Sequence, residues 1–258
     1  MPLFTFTSIR IYILMGFLLF AIVYTSHQLL YSRSWHVPLP VVIYPINADG
    51  LEETDRYIQS LSLRHFHDIE QWFTREAKRY RLVNPTPVTV SLGAQVAGKP
   101  PVLPEYDNAF YNMMWGVHFR WWAYRNTPDE ESNWSRVRVF VLYRSRNEGP
   151  LPHSLGLQKG LLGLVNAYAL KRQTKQNNIV IAHEVLHTVG AIDKYHPDGY
   201  PMYPQGYANP ERSPLHPQRS AEIMAGRIPL GHGRLQMARS LRSTVINNDT
   251  AREINWIQ

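Results

Sequence analysis

The first pattern in the chain is an apolar run with no polar face. Ile11 to Tyr24 reads IYILMGFLLFAIVY, preceded by Arg10 and continued through Thr25-Ser26-His27-Gln28 to Leu29-Leu30-Tyr31. The strictly apolar part falls short of the roughly 20 residues that a membrane span needs, and the amphipathic flank makes up the difference. No small-x-small cleavage site succeeds it, which favours an uncleaved signal anchor over a cleaved signal peptide. This assigns residues 1–31 to a single-pass N-terminal anchor, 32–40 to a linker and 41–258 to one domain. Signal-like segments export the chain on their C-terminal side, so the domain is expected outside the cytoplasm, periplasmic or extracellular.

Beyond the linker, strand and helix patterns alternate. Val41 to Ile46 is a predicted strand. Thr54 to Tyr80 reads as a long helix whose apolar face carries Ile58, Leu61, Ile69, Trp72, Phe73, Ala77 and Tyr80. His65 shares that face and reads as a core histidine, while His67 reads as exposed. Pro87 to Leu92 is a second strand. Asp107 to Tyr124 is rich in aromatics and reads as a helix over the sheet, His118 included. Thr127 to Ser132 is an acidic loop. Ser135 to Tyr143 alternates as a central strand should, and Gly160 to Leu170 is a further strand candidate. A helix comes next, with Ile179, Val180, Ala182, Val185, Leu186 and Val189 as its apolar positions and Asn177 or Asn178 as its N-cap. Between Asp193 and Met224 lies a loop with Pro197, Pro201, Pro204, Pro210, Pro214 and Pro217. A loop of that length is uncommon unless it has a role, here as a cleft wall. Leu235 to Ile257 reads as a terminal helix or helix pair.

Composition narrows the partners. The 258 residues carry a formal charge of +7, 44% hydrophobic and 18% charged residues, and no cysteine. That suits a globular domain and excludes disulfides and cysteine metal sites. The basic residues are scattered without a run of like charge, so no nucleic-acid partner is expected.

The chemistry lies in the late helix. His183-Glu184-Val185-Leu186-His187 is H-E-x-x-H, continuing as Thr188-Val189-Gly190-Ala191-Ile192-Asp193. Four residues apart on a helix, His183 and His187 point from one face and can share a Zn²⁺ at about 2.0–2.1 Å. Glu184 stands beside that position as a general base. Gly190 allows a sharp turn that brings Asp193 back as third ligand, with His196 and Asp198 as rivals. The fourth position stays open for water, as a catalytic site requires.

These residues resemble the metzincin zinc peptidases, in their H-E-x-x-H-x-x-G-x-x-D form. The resemblance implies an α/β (α+β) domain: a twisted mixed sheet, an active-site helix, a methionine turn under the metal and a C-terminal helix. Glu222-Ile223-Met224-Ala225-Gly226 is the candidate turn, with Met224 as its methionine. It implies peptide hydrolysis, with zinc held by His183, His187 and Asp193 and Glu184 as base. It further implies an edge strand just before the metal helix, for which Gly160 to Leu170 is the candidate, binding a peptide or protein substrate by strand addition. Many members carry a tyrosine two residues after the methionine. Here that position is Gly226, which leaves Tyr195, Tyr200, Tyr203 and Tyr207 as replacements. The reading from another class is a membrane-tethered binding or scaffold module that uses zinc without turnover.

Overall fold

The computed structural model describes residues 6–102, 108–127, 135–149, 151–157 and 160–258. The apolar run forms helix α1 (Phe6–Ser32), and its stretch Ser8–Ser32 is long and apolar enough to cross a membrane, as an anchor or as a signal sequence. The residues after it are fastened to the domain. Trp35 is buried, donates its indole N–H to the Ile254 carbonyl at 2.7 Å and packs edge-on against Trp256.

The domain is a mixed α/β fold around a five-stranded sheet. Its strands are β1 (Leu39–Asn47), β2 (Val88–Leu92), β3 (Val137–Arg144), β4 (Leu155–Leu157) and β5 (Leu162–Tyr168). They lie in the order β2-β1-β3-β5-β4, all parallel except β4. Helices α2 (Glu52–Gln59), α3 (His67–Arg79) and α5 (Thr174–Thr188) share one face of the sheet, where Val41, Ile43, Val139 and Val165 meet Ile69, Trp72, Phe73 and Val185. Helix α4 (Ala109–Asn126) covers the other, packing Trp115, Phe119 and Ala123 on Tyr44, Phe140 and Leu164. Coverage on both faces is why the strands read as continuous apolar runs. The C-terminal part adds two small ladders, β6 (Ala221–Glu222) with β9 (Thr244–Val245) and β7 (Arg227–Gly231) with β8 (Arg234–Met237). Helix α6 (Asn248–Glu253) closes the chain.

Several expectations are corrected. The long helix from Thr54 to Tyr80 is broken between α2 and α3 by a 3₁₀ turn at Leu63–His65. Ser62 supplies the break: its hydroxyl and N–H both engage His65 Nδ1, at 3.1 Å each, in a reciprocal cap. His65 is thus a half-exposed capping residue and not a core one, and His118 is exposed on α4. The Gly160 to Leu170 strand is not the edge, since β5 lies between β3 and β4 and is buried on both faces. The predicted terminal helix from Leu235 onward is mostly strand and turn, with α6 as its one α-helical segment and a single 3₁₀ turn at Leu241–Ser243. Of the acidic loop Thr127–Ser132 only Thr127 lies within the described residues, and Asp107 lies outside them.

Candidate metal centre

Helix α5 carries both histidines and is anchored at each end. Its start lies earlier than the two asparagines, which do not cap it. Asn177 and Asn178 sit inside the helix and turn their amides outward, to the Tyr168 carbonyl at 3.0 Å and the His65 carbonyl at 2.7 Å. Asn178 also donates to Asp68, so α5 is tied to strand β5 and to the start of α3. The C-terminus is a Schellman closure. Ala191 N–H reaches back to the Leu186 carbonyl and Gly190 N–H to the His187 carbonyl, both at 3.1 Å, with Gly190 at φ +107°. A left-handed residue at that position reverses the chain and aims Asp193 at the histidines.

His183, His187 and Asp193 form a group that could hold a metal ion. The two Nε2 atoms are 3.0 Å apart, and Asp193 Oδ1 is 3.1 Å from one and 3.2 Å from the other. Three donors of a tetrahedral zinc site of radius 2.0–2.1 Å are about 3.4 Å apart, so the spacing fits with a small outward adjustment. Ring orientation fits better still. His183 Nδ1 lies 3.0 Å from the Ile223 carbonyl oxygen and His187 Nδ1 lies 2.8 Å from that of Ala191. A carbonyl can only accept, so each Nδ1 carries the proton and each Nε2 presents a lone pair. Two nitrogen lone pairs and a carboxylate oxygen converging on one point match the donor set of a divalent cation.

In the protein alone the same convergence favours positive charge, with a proton on His183 Nε2 donated to Asp193 where a cation would otherwise sit. Burial opposes a charged His183, but the Asp193 hydrogen bond and the Glu184 charge outweigh it and raise its pKa. Burial works against ionised Asp193 too, yet the two histidines hold its carboxyl well below the usual range. Glu184 is 4% exposed, and burial raises its pKa despite the neighbouring histidines. Its Oε2 has no hydrogen-bond partner among the described residues. The group has proton-accepting capacity that the resting fold does not use.

Neither rival ligand joins the cluster. His196 N–H donates to the Tyr200 carbonyl at 2.8 Å and Asp198 Oδ1 accepts from Tyr200 N–H at 2.9 Å, so both shape a local turn. Of the candidate tyrosines, Tyr195 is the one close enough to Asp193 and Glu184 for their charges to act on its hydroxyl. Burial and then the nearby carboxylates push that phenol up to about 12, so it stays a donor through neutral pH. Tyr203 and Tyr207 pack edge-on against one another instead, and Tyr207 pairs with His216 at 3.2 Å. No family model and no curated protein matches this chain.

Three features of the surroundings are not visible in the motif. Met224 is fully buried next to Ile223, whose carbonyl orients His183, and the turn that holds it closes on Glu222. The Glu222 Oε2 accepts from Met224 N–H at 2.6 Å and Ala225 N–H at 3.1 Å. A single acid inside Ala221-Glu222-Ile223-Met224-Ala225 is the one sequence signal that marks it. Glu253 of α6 secures both neighbours of Asp193, accepting from Ile192 N–H at 3.1 Å and from buried Lys194 Nζ at 2.6 Å. Gly156 of β4 crosses directly over α5. A Cβ there would lie 2.5 Å from His187 Cβ and 2.6 Å from the Glu184 carbonyl oxygen. Gly156→Ala is therefore expected to cost about 1–3 kcal/mol in denaturant unfolding, as overpacking does, and to weaken metal retention. A variant with the stability and metal content of the parent would show that strand and helix can separate freely.

Proposed function

We propose that this protein is a membrane-anchored, metal-dependent peptidase of metzincin type, with zinc as the metal and the domain outside the cytoplasm. The observation that carries the reading is the convergence of two Nε2 lone pairs and Asp193 Oδ1 beside a buried carboxylate oxygen of Glu184 that has no partner among the described residues. Structural zinc sites use four protein ligands, whereas three leave a position for a reactant. A divalent cation held there supplies Lewis acidity towards a carbonyl and makes water easier to deprotonate.

The residues divide the remaining work. Glu184 takes the proton of the attacking water and delivers it to the leaving amine, which suits a carboxylate whose affinity for protons is raised by burial. Tyr195, beside Asp193 and Glu184, offers a hydroxyl to a developing oxyanion. Strand β4 lies at the sheet edge next to α5 and offers backbone groups to an extended peptide, replacing β5 in the role expected for an edge strand.

The test is metal dependence of turnover. Full-length protein in detergent is expected to contain about one zinc by elemental analysis and to cleave members of a peptide library. Chelation should remove both properties and added zinc restore them, while His187→Ala retains neither. A folded parent that takes up no metal would overturn the reading. Tyr195→Phe is expected to lower kcat about 10²-fold with metal content unchanged, the loss typical of one oxyanion donor. An unaltered kcat would remove Tyr195 from the chemistry.

A further inference from the structure

The residues that follow α1 are built into the domain, and they meet the end of the chain at three consecutive positions. Trp35 donates its indole N–H to the Ile254 carbonyl at 2.7 Å. The Arg33 carbonyl accepts from the Asn255 side-chain amide at 3.1 Å. The Trp35 ring stands edge-on against Trp256, which is also packed against Tyr80 at 5.9 Å. Ile254 and Trp256 are both buried in this contact. Burial opposes the charge on Arg33 and the Glu253 carboxylate supports it, so the contact extends to the last residue of α6.

These positions matter because of what precedes them. Helix α6 has six residues, too few to hold a helix by itself. Asn247 caps its start, accepting from Thr250 N–H at 3.0 Å, and the Thr250 hydroxyl is fixed to Glu222. Its other end carries Glu253, followed directly by the residues that the linker holds. Glu253 Oε2 accepts from Ile192 N–H at 3.1 Å and from Lys194 Nζ at 2.6 Å, on the two sides of Asp193. Lys194 is 1% exposed, so its ammonium cannot exchange the carboxylate for water. An unpaired buried charge is costly, and the turn around Asp193 therefore follows Glu253. Lys194 N–H is also bound to the Met224 carbonyl at 3.1 Å, which pins one side of Asp193 and leaves the Ile192 side to Glu253.

We propose that Arg33 and Trp35 are positioning residues for the third metal ligand. The linker seats the end of α6, Glu253 seats the turn on both sides of Asp193, and the centre is complete only with the segment that joins the domain to α1. The proposal rests on His183, His187 and Asp193 holding a metal and not on peptide hydrolysis.

The test compares full-length parent, Trp35→Ala, Glu253→Ala, the double variant and Trp115→Ala in detergent. Trp115 is the control, since it is likewise buried and donates its indole N–H to the Pro101 carbonyl at 3.1 Å, on the opposite face of the sheet. Two quantities are measured: hydrogen exchange of the amides from Gly190 to Tyr195 without metal, and release of bound zinc to a chelator. Trp35→Ala is expected to speed exchange at Ile192 several-fold. It should speed zinc release about 10-fold, the lower end for loss of an outer support of a metal ligand. Trp115→Ala should leave both at the parent's values. Because Trp35 acts through Glu253, Trp35→Ala should add nothing once Glu253 is alanine. Equal effects of Trp35→Ala and Trp115→Ala, or effects of Trp35→Ala and Glu253→Ala that simply add, would overturn the proposal. If Trp35→Ala does not fold, Trp35→Phe decides, because it keeps a ring against Trp256 and removes the donor to Ile254; exchange at Ile192 equal to the parent's would then overturn the proposal. A parent that takes up no zinc overturns the proposed function, whereas unchanged exchange at Ile192 in a parent and variant that both bind zinc overturns this inference alone.

Discussion

Glu184→Gln is expected to lower peptide turnover by about 10²–10⁴-fold, the range for loss of a general base, while the protein keeps its metal. The substitution preserves the shape of the side chain and removes its basicity. The three candidate ligands would be untouched, because their orientation comes from the Ile223 and Ala191 carbonyls and from the Glu253 contacts around Asp193. Glu184 is held in place by the strands above it: a Cβ at Gly156 would lie 3.1 Å from its Oε2, and one at Gly163 of β5 would lie 3.8 Å from its Cβ. A glutamine amide in that space can orient a water but cannot take its proton. Turnover and zinc content measured on the same preparation separate the two classes of function. Lost turnover with retained zinc belongs to an enzyme. Unchanged behaviour in both, together with no cleavage by the parent, would leave the tethered binding module as the description of this chain.

The features legible in the sequence are those whose physics is local. His183, His187, Gly190 and Asp193 are spaced by the pitch of one helix and the turn that ends it, so their convergence comes from short-range geometry. β1, β2 and β3 are equally readable, since β1 and β3 are largely apolar runs and β2 alternates apolar and polar residues, each over strand length. The features that escape a sequence reading depend on distant partners. Leu162 to Tyr168 looks the same as a sequence whether it lies at the edge or inside the sheet. The actual edge, Leu155-Gly156-Leu157, is too short to show a period. Asn177 and Asn178 resemble caps because asparagine favours helix starts. Their amides are instead used for contacts with Tyr168, His65 and Asp68, two of them more than a hundred residues away in sequence. Aromatic spacing in α4 gives the helix but not its two-sidedness, as apolar residues occupy both its buried and its open side. Tyr195 is set apart from the other tyrosines only by the folded loop.

Glu222 sets the second large effect, on stability and not on chemistry. It is fully buried, and burial pushes its carboxyl up to about 7, against the opposing influence of the Thr250 hydroxyl, Lys194 and the Met224 and Asn247 amides. In the unfolded chain the same group titrates near 4.5. Between those values the folded protein binds a proton that the unfolded chain has released, so stability must fall as pH rises through this window. The full contribution is present below about pH 4.5 and is lost by slightly above pH 7, and the displacement corresponds to about 3 kcal/mol. Glutamine cannot ionise and imitates the protonated acid: its oxygen can accept from the Met224 and Ala225 amides while its NH₂ faces Thr250, now 2.7 Å from Oε1. Glu222→Gln should therefore lack this pH dependence. Urea unfolding of parent and variant at intervals from about pH 4.5 to 8 would show the parent losing about 3 kcal/mol relative to the variant. Parallel curves would mean that ionised Glu222 is as well accommodated as the acid. The location of the charge ties stability to the site, because ionisation loads the same turn that presents the Ile223 carbonyl to His183 and buries Met224 beside it. Rising pH improves Glu184 as a base while it weakens the turn that orients His183, so the two glutamates place opposing limits on the pH range in which the centre is both intact and active.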